Sequence, residues 1–184
     1  LQMNILCLPG GGQPCSEFIS FIGTHIDTTQ FNITCNPSQN KFQPYTGLPP
    51  NIKGIVAYSQ GTVMAAQHLA QSHTQAVDWL IALSAYVPVE NKADYQPHIF
   101  NQMLPAQDKA EKVYIYSGCE DTLTSPDDTF SYASIFPHAF VDVVSDGNHN
   151  LQATTLQNAF RYVQQHDNVP QTCKSSTDAA SDLG

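Results

Sequence analysis

The chain has 184 residues, 41% of them hydrophobic and 12% charged, with a formal net charge of −9 at pH 7. That is enough for one domain with a substantial core, and no apolar run comes near the roughly 18 residues that would cross a bilayer. The negative balance speaks against nucleic acid or an anionic membrane surface as a partner.

The elements follow in order. Met3 to Leu8 is a short apolar strand that breaks at Pro9-Gly10-Gly11-Gly12-Gln13-Pro14. A helix should follow, with Ser16 as N-cap and Phe18, Phe21 and Ile22 on one face. Phe31 to Cys35 alternates as a second strand. Residues 36–50 carry four prolines and a glycine, which predicts a loop in place of a long crossover helix. Ile52 to Tyr58 is a β-branched strand that turns at Ser59 into an alanine-rich helix running to about Ser72. Ala76 to Leu83 is a further buried strand with Trp79 in the core. Glu90 to Lys109 reads as an irregular excursion holding one short helix. Lys112 to Tyr116 is a strand, and Ser125-Pro126-Asp127-Asp128 has the form of a capped helix start. Ala139 to Val144 is the last strand, and Leu156, Ala159, Phe160 and Val163 mark one face of the last helix.

Strands alternating with helices call for a mostly parallel sheet of about six strands, covered by helices on both faces. The division expected is an α/β domain over residues 1–166 and a polar, disordered tail over 167–184. Five cysteines (Cys7, Cys15, Cys35, Cys119, Cys173) with no C-x-x-C pair speak against a metal site or a dense disulfide framework. Reduced thiols in a cytoplasmic protein are the plainest reading. A secreted protein with one or two bridges is the alternative. The first residues show no signal-peptide pattern.

Ala57-Tyr58-Ser59-Gln60-Gly61 joins the third strand to its helix. A serine between small residues at a strand-to-helix turn is the pattern of a nucleophile elbow, in which the backbone is strained and the hydroxyl stands above the sheet. The same serine could equally serve as an N-cap. The rest of the chain decides between the two, because in a parallel sheet the chemistry gathers at the carboxyl ends of the strands. Ser59, then Asp121 after a strand, then His149 after the last strand follow the order nucleophile, acid, base. A serine hydroxyl needs an imidazole to take its proton, and the imidazole needs a carboxylate to fix its tautomer. The developing oxyanion needs fixed N–H donors. The backbone of Gln60 and the Gly10-Gly11-Gly12 loop would supply them.

On five segments the chain resembles the small serine hydrolases of the acyl-protein thioesterase/carboxylesterase group and the fungal-type family serine hydrolases. They are I-L-C-L-P-G-G-G-Q at 5–13, A-Y-S-Q-G at 57–61, L-I-A-L-S-A-Y-V-P at 80–88, S-G-C-E-D at 117–121 and D-G-N-H at 146–149. The departures are Pro9 and Ser117 where the family has His, and Ala85 where it has Gly. The resemblance implies a three-layer α/β-hydrolase fold without a large cap. It implies Ser59 as nucleophile, Asp121 as acid, His149 as base, and Gly11 and Gln60 as oxyanion donors. Gly10, Gly12, Tyr58, Phe100, Met103 and Leu104 are the candidates for substrate contact.

Competing residues have plainer readings. Glu120 could replace Asp121, whereas Asp127 and Asp128 suit the first turn of a helix. His138 should lie on the surface, and His68 and His73 should be solvated. No metal or organic cofactor is implied. The expected function is hydrolysis of a small-molecule or lipid ester or thioester, with activity rising as His149 loses its proton. A non-catalytic hydrolase-like binding module, and a secreted cutinase-like or lipase-like esterase, are the other readings.

Overall fold

The structure is a computed structural model that describes residues 2–38, 45 and 48–165. The tail expected over 167–184, with Cys173, lies outside the described residues, as do His166 and positions 39–44 and 46–47 of the expected loop.

Six strands form one sheet: β1 (Met3–Leu8), β2 (Phe31–Cys35), β3 (Ile52–Tyr58), β4 (Val77–Leu83), β5 (Ala110–Gly118) and β6 (Phe140–Val144). Their order is β2-β1-β3-β4-β5-β6, and every pairing is parallel. The near-continuous apolar strands reflect a sheet buried on both faces. On one face α1 (Cys15–His25) and α5 (Ala153–Gln165) cover Val56, Trp79, Ile81 and Tyr114. On the other, α2 (Gln60–Leu69), α3 (Ile99–Met103) and α4 (Pro126–Ala133) cover Ile55, Leu80, Val113 and Ile115.

Leu156, Ala159, Phe160 and Val163 are all buried, as their spacing requires. The start of α1 differs from expectation. Pro14 stands at the N-cap with extended backbone, Ser16 lies inside the first turn, and no side chain caps this end. Helix α2 ends at Leu69, short of Ser72. The excursion between β4 and β5 holds α3 and a 3-10 turn, Leu104–Asp108. Ile99, Met103 and Ala106 bury there in the α2 side of the core. That excursion therefore folds back onto the body and builds no lobe.

Two contacts fix strand register. Gly54 pairs with Trp79 across β3 and β4, and a Cβ on Gly54 would stand 2.3 Å from the indole. At the sheet's far side Asp142 is fully buried. One of its oxygens accepts a hydrogen bond from the Tyr114 hydroxyl, and the other has no partner. Burial raises its pKa, and the Tyr114 bond offsets this only in part. The folded state therefore holds the Asp142 proton to higher pH than the unfolded chain. Stability from this residue is present below the ordinary carboxylate range and is lost as pH rises through the folded value. In thermal melts from pH 4 to 8, Asp142→Asn should gain on the wild type as pH rises. Parallel melting curves would contradict the assignment.

Candidate active site

The sheet order reverses between β1 and β3, where an open α/β sheet leaves a crevice at its carboxyl edge. Ser59 follows β3 at that point, with φ 52° and ψ −119°. Two features hold this left-handed turn. The Ser59 N–H donates to Leu83 O at 2.9 Å, and its own carbonyl accepts from Thr62 Oγ1 at 2.6 Å. Helix α2 then passes so close to β1 that a Cβ on Gly61 would stand 2.1 Å from Leu8 O. Although Ser59 occupies the N-cap position, its side chain makes no cap bond. Its Oγ lies 2.9 Å from His149 Nε2 instead. The capping reading is thereby set aside.

Asp121 ends the tight turn after β5. Its Oδ1 accepts from the backbone N–H groups of Leu123 and Thr124, each at 2.8 Å. Its Oδ2 accepts from Thr124 Oγ1 at 2.7 Å and lies 2.8 Å from His149 Nδ1. Burial works to raise this carboxyl's pKa, but hydrogen bonds from His149 and from both parts of Thr124 outweigh it and hold the value below normal. An ionised carboxylate only accepts, so Nδ1 carries the proton and Nε2 faces Ser59 as the acceptor. The Asp121 side chain is 1% exposed and that of His149 18%, which leaves the imidazole open to the cleft beside it.

The loop after β1 lies against the elbow. The turn Gly10 to Gln13 closes with Gln13 N–H on Gly10 O at 3.0 Å, and Gly12 takes the φ of +72° that this turn needs. Gln13 Oε1 accepts from Gly10 N–H at 3.0 Å. A Cβ on Gly11 would meet Gln60 Oε1 at 2.4 Å, so Gly11 and the first residue of α2 are direct neighbours beside Ser59.

Two clefts meet at Ser59 and His149. One of about 210 Å³ is walled by Val87, Val89, Leu123 and Thr124, with Asp128 at its side. A wider groove of about 740 Å³ runs over Gly10, Gly11, Tyr58 and Gln60. Tyr86, Lys92 and Asp94 border both. Leu123 is 64% exposed and Val89 42%, an apolar lip at the mouth.

Of the residues expected at the site, Ser59, Asp121 and His149 come together, and Gly10, Gly11, Gln60 and Tyr58 lie beside them. Gly12 serves the turn and does not line the groove. Phe100, Met103 and Leu104 line neither cleft. Met103 is fully buried and Phe100 packs against the same core, because α3 turns its apolar side toward α2. The cleft walls come from Tyr86, Val87, Val89 and Leu123. These sit in loops after β4 and β5, and an alternation or helical pattern could not have marked them.

The competitors resolve simply. Glu120 is exposed, and Asp128 belongs to the Ser125 capping box. His138 is exposed as expected. His68 is not solvated: it is half-buried against Tyr45, and burial lowers its pKa. Cys15 and Cys35 form a disulfide with Cα atoms 5.9 Å apart, which corrects the reading of reduced thiols. Cys7 is buried and free, and burial pushes its thiol up to about 12. Among the described residues no helix is long and apolar enough to cross a membrane.

No protein-family model matches the chain, and no curated protein sequence matches it. Solved structures do. SOBER1 of Arabidopsis thaliana aligns at 12% identity over 90% of this chain and 99% of its own, with a TM-score of 0.65. Acyl-protein thioesterase 2 of Zea mays aligns at 10% identity over 89% and 93%, with a TM-score of 0.65. A phospholipase/carboxylesterase of Dyadobacter fermentans aligns at 16% identity over 88% and 90%, with a TM-score of 0.63. At such identities the likeness speaks for the fold. The chain has the three-layer α/β-hydrolase fold, and the resemblance carried by the five segments holds at that level.

The packing at Gly61 makes its own prediction. Gly61→Ala must push α2 away from β1 and should cost about 1–3 kcal/mol of unfolding free energy, the usual range for overpacking. Equilibrium denaturation measures this. A variant as stable as the wild type would show that the elbow is looser than described.

Proposed function

We propose that the protein is a serine hydrolase that cleaves a carboxylic ester or thioester through an acyl-serine intermediate. The observation that carries this reading is the direction of the Ser59 hydroxyl. It forgoes the cap bond open to it and meets His149 Nε2, whose other nitrogen meets a buried, ionised Asp121. In the first half-reaction Ser59 Oγ attacks the carbonyl carbon and its proton passes to Nε2. The N–H groups of Gly11 and Gln60 receive the oxyanion, assisted by the positive end of α2. The leaving oxygen or sulfur takes the proton from Nε2. In the second half His149 draws a proton from water, which attacks the acyl-serine, and the acid leaves as Ser59 Oγ takes that proton back from Nε2.

The walls point to the substrate class. Val87, Val89 and Leu123 offer an apolar surface to an acyl group, while the wider groove accepts a larger leaving group. Asp94 and Asp128 beside them outnumber Lys92, and on a chain of net charge −9 this balance disfavours a polyanionic leaving group. These walls suit an uncharged ester or thioester better than a polyanionic one. A non-catalytic binding module would have no use for a strained serine whose hydroxyl is engaged by an imidazole. The Cys15–Cys35 bridge favours an oxidising compartment, and with it a secreted esterase over a cytoplasmic one.

The test is intact-mass analysis after treatment with a fluorophosphonate. One adduct should map to Ser59 and be absent or greatly slowed in Ser59→Ala and His149→Ala. Because Asp121 is held below its usual range, the labelling rate should show no break across the ordinary carboxylate range. A folded wild type that takes no adduct would overturn the reading, and a break in the rate at the ordinary carboxylate range would overturn the ionised state of Asp121.

A further inference from the structure

The loop that carries His149 has no helix or strand to hold it. It leaves β6 at Val144 and reaches α5 only at Ala153. Its backbone is tied down by hydroxyls that rise from the ends of three neighbouring strands. The Tyr58 hydroxyl, at the end of β3, donates to His149 O at 2.7 Å. Ser84 Oγ, just past β4, reaches the same carbonyl at 3.4 Å. The Tyr116 hydroxyl, on β5, donates to Asn148 O at 3.0 Å. Tyr58 makes the shortest of these bonds and a second contact as well: its ring centroid lies 5.5 Å from that of the imidazole. Burial first, and then the charges of Asp121 and Glu17, push the phenol up to about 12. Tyr58 therefore remains a donor throughout the working range.

We propose that Tyr58 is a positioning residue that holds His149 in place during deacylation. The inference rests on the serine-hydrolase reading above. In the free enzyme the imidazole is fixed at both nitrogens, by Ser59 at 2.9 Å and Asp121 at 2.8 Å. Once Ser59 Oγ is esterified, it has no proton to share, and the Nε2 anchor is lost. The ring is then held by Asp121 at one nitrogen and by its own backbone. A ring free to swing about that single bond would present Nε2 to water less often. The Tyr58 hydroxyl clamps the carbonyl and its ring flanks the imidazole, so the base keeps its aim when the serine no longer helps.

The role predicts a kinetic split. Tyr58→Phe removes the hydroxyl but keeps the ring contacts with His149 and Phe18. With an activated ester for which deacylation limits turnover, kcat should fall about tenfold, the worth of one net hydrogen bond. KM should fall in proportion, and kcat/KM, which reports acylation, should change less than about threefold. A burst of product equal to the enzyme concentration should precede the slower steady state. Ser84→Ala and the double variant complete a cycle, and the two hydroxyls on one carbonyl should be non-additive.

Equal losses in kcat and kcat/KM would mean general loosening of the site and would overturn the proposal. So would unchanged kcat in a Tyr58→Phe protein that melts like the wild type. Fluorophosphonate labelling separates the two levels. If wild-type Ser59 labels and Tyr58→Phe turns over normally, only the role of Tyr58 falls. If wild-type Ser59 does not label, both readings fall together.

Discussion

A residue with φ 52° and ψ −119° costs of the order of 1–3 kcal/mol, and a serine at a helix start that gives up its cap loses about 1 kcal/mol more. Ser59 bears both costs. Nothing local favours this arrangement, so tertiary packing must impose it. The Gly61 Cα seated against Leu8 O fixes how closely α2 runs to the sheet, and the Leu83 carbonyl and Thr62 fix the turn between them. The hydroxyl then stands at the open edge of the sheet, with the N-terminus of α2 beside it. Every other part of the site is arranged around that point.

Asp121 and His149 reach it from the loops after β5 and β6, and these loops are bound to each other before they meet Ser59. Glu120 N–H donates to Gly147 O at 2.8 Å and Cys119 N–H to Val144 O at 2.9 Å. Asp121 illustrates which effect wins. Burying a lone carboxylate would leave it protonated, but the donors from Leu123, Thr124 and His149 keep it ionised despite that burial. Asp142 is the contrast within the same sheet. It has one donor, an unpartnered second oxygen and a raised pKa. Two buried aspartates thus differ because one has four hydrogen bonds and the other has one.

Much of this was legible in the sequence. The strands wrote themselves as apolar runs because both faces of the sheet are covered, and α5 showed its buried stripe at helical spacing. The elbow was legible because its geometry admits only small residues two positions either side of Ser59. The rest depends on contacts between distant segments. Phe100 and Met103 are apolar in an irregular stretch, and composition cannot say whether such residues face a cleft or a helix. The Cys15–Cys35 bridge requires the start of α1 to meet the end of β2. That follows from β2 lying beside β1 at the sheet edge, which no cysteine spacing reveals. Tyr58 was named only as a candidate for substrate contact. Its bond to a carbonyl 91 positions away exists only once β6 has delivered the His149 loop.

The central claim is that Ser59 becomes acylated during turnover. Mixing the protein with a chromogenic short-chain ester, quenching in acid within the first turnover and mapping the acyl group by peptide mass spectrometry tests it directly. The account requires an acyl group on the peptide containing Ser59, formed as fast as the first equivalent of product is released. Turnover that proceeds with Ser59 unmodified, or with the acyl group on another residue, would contradict it.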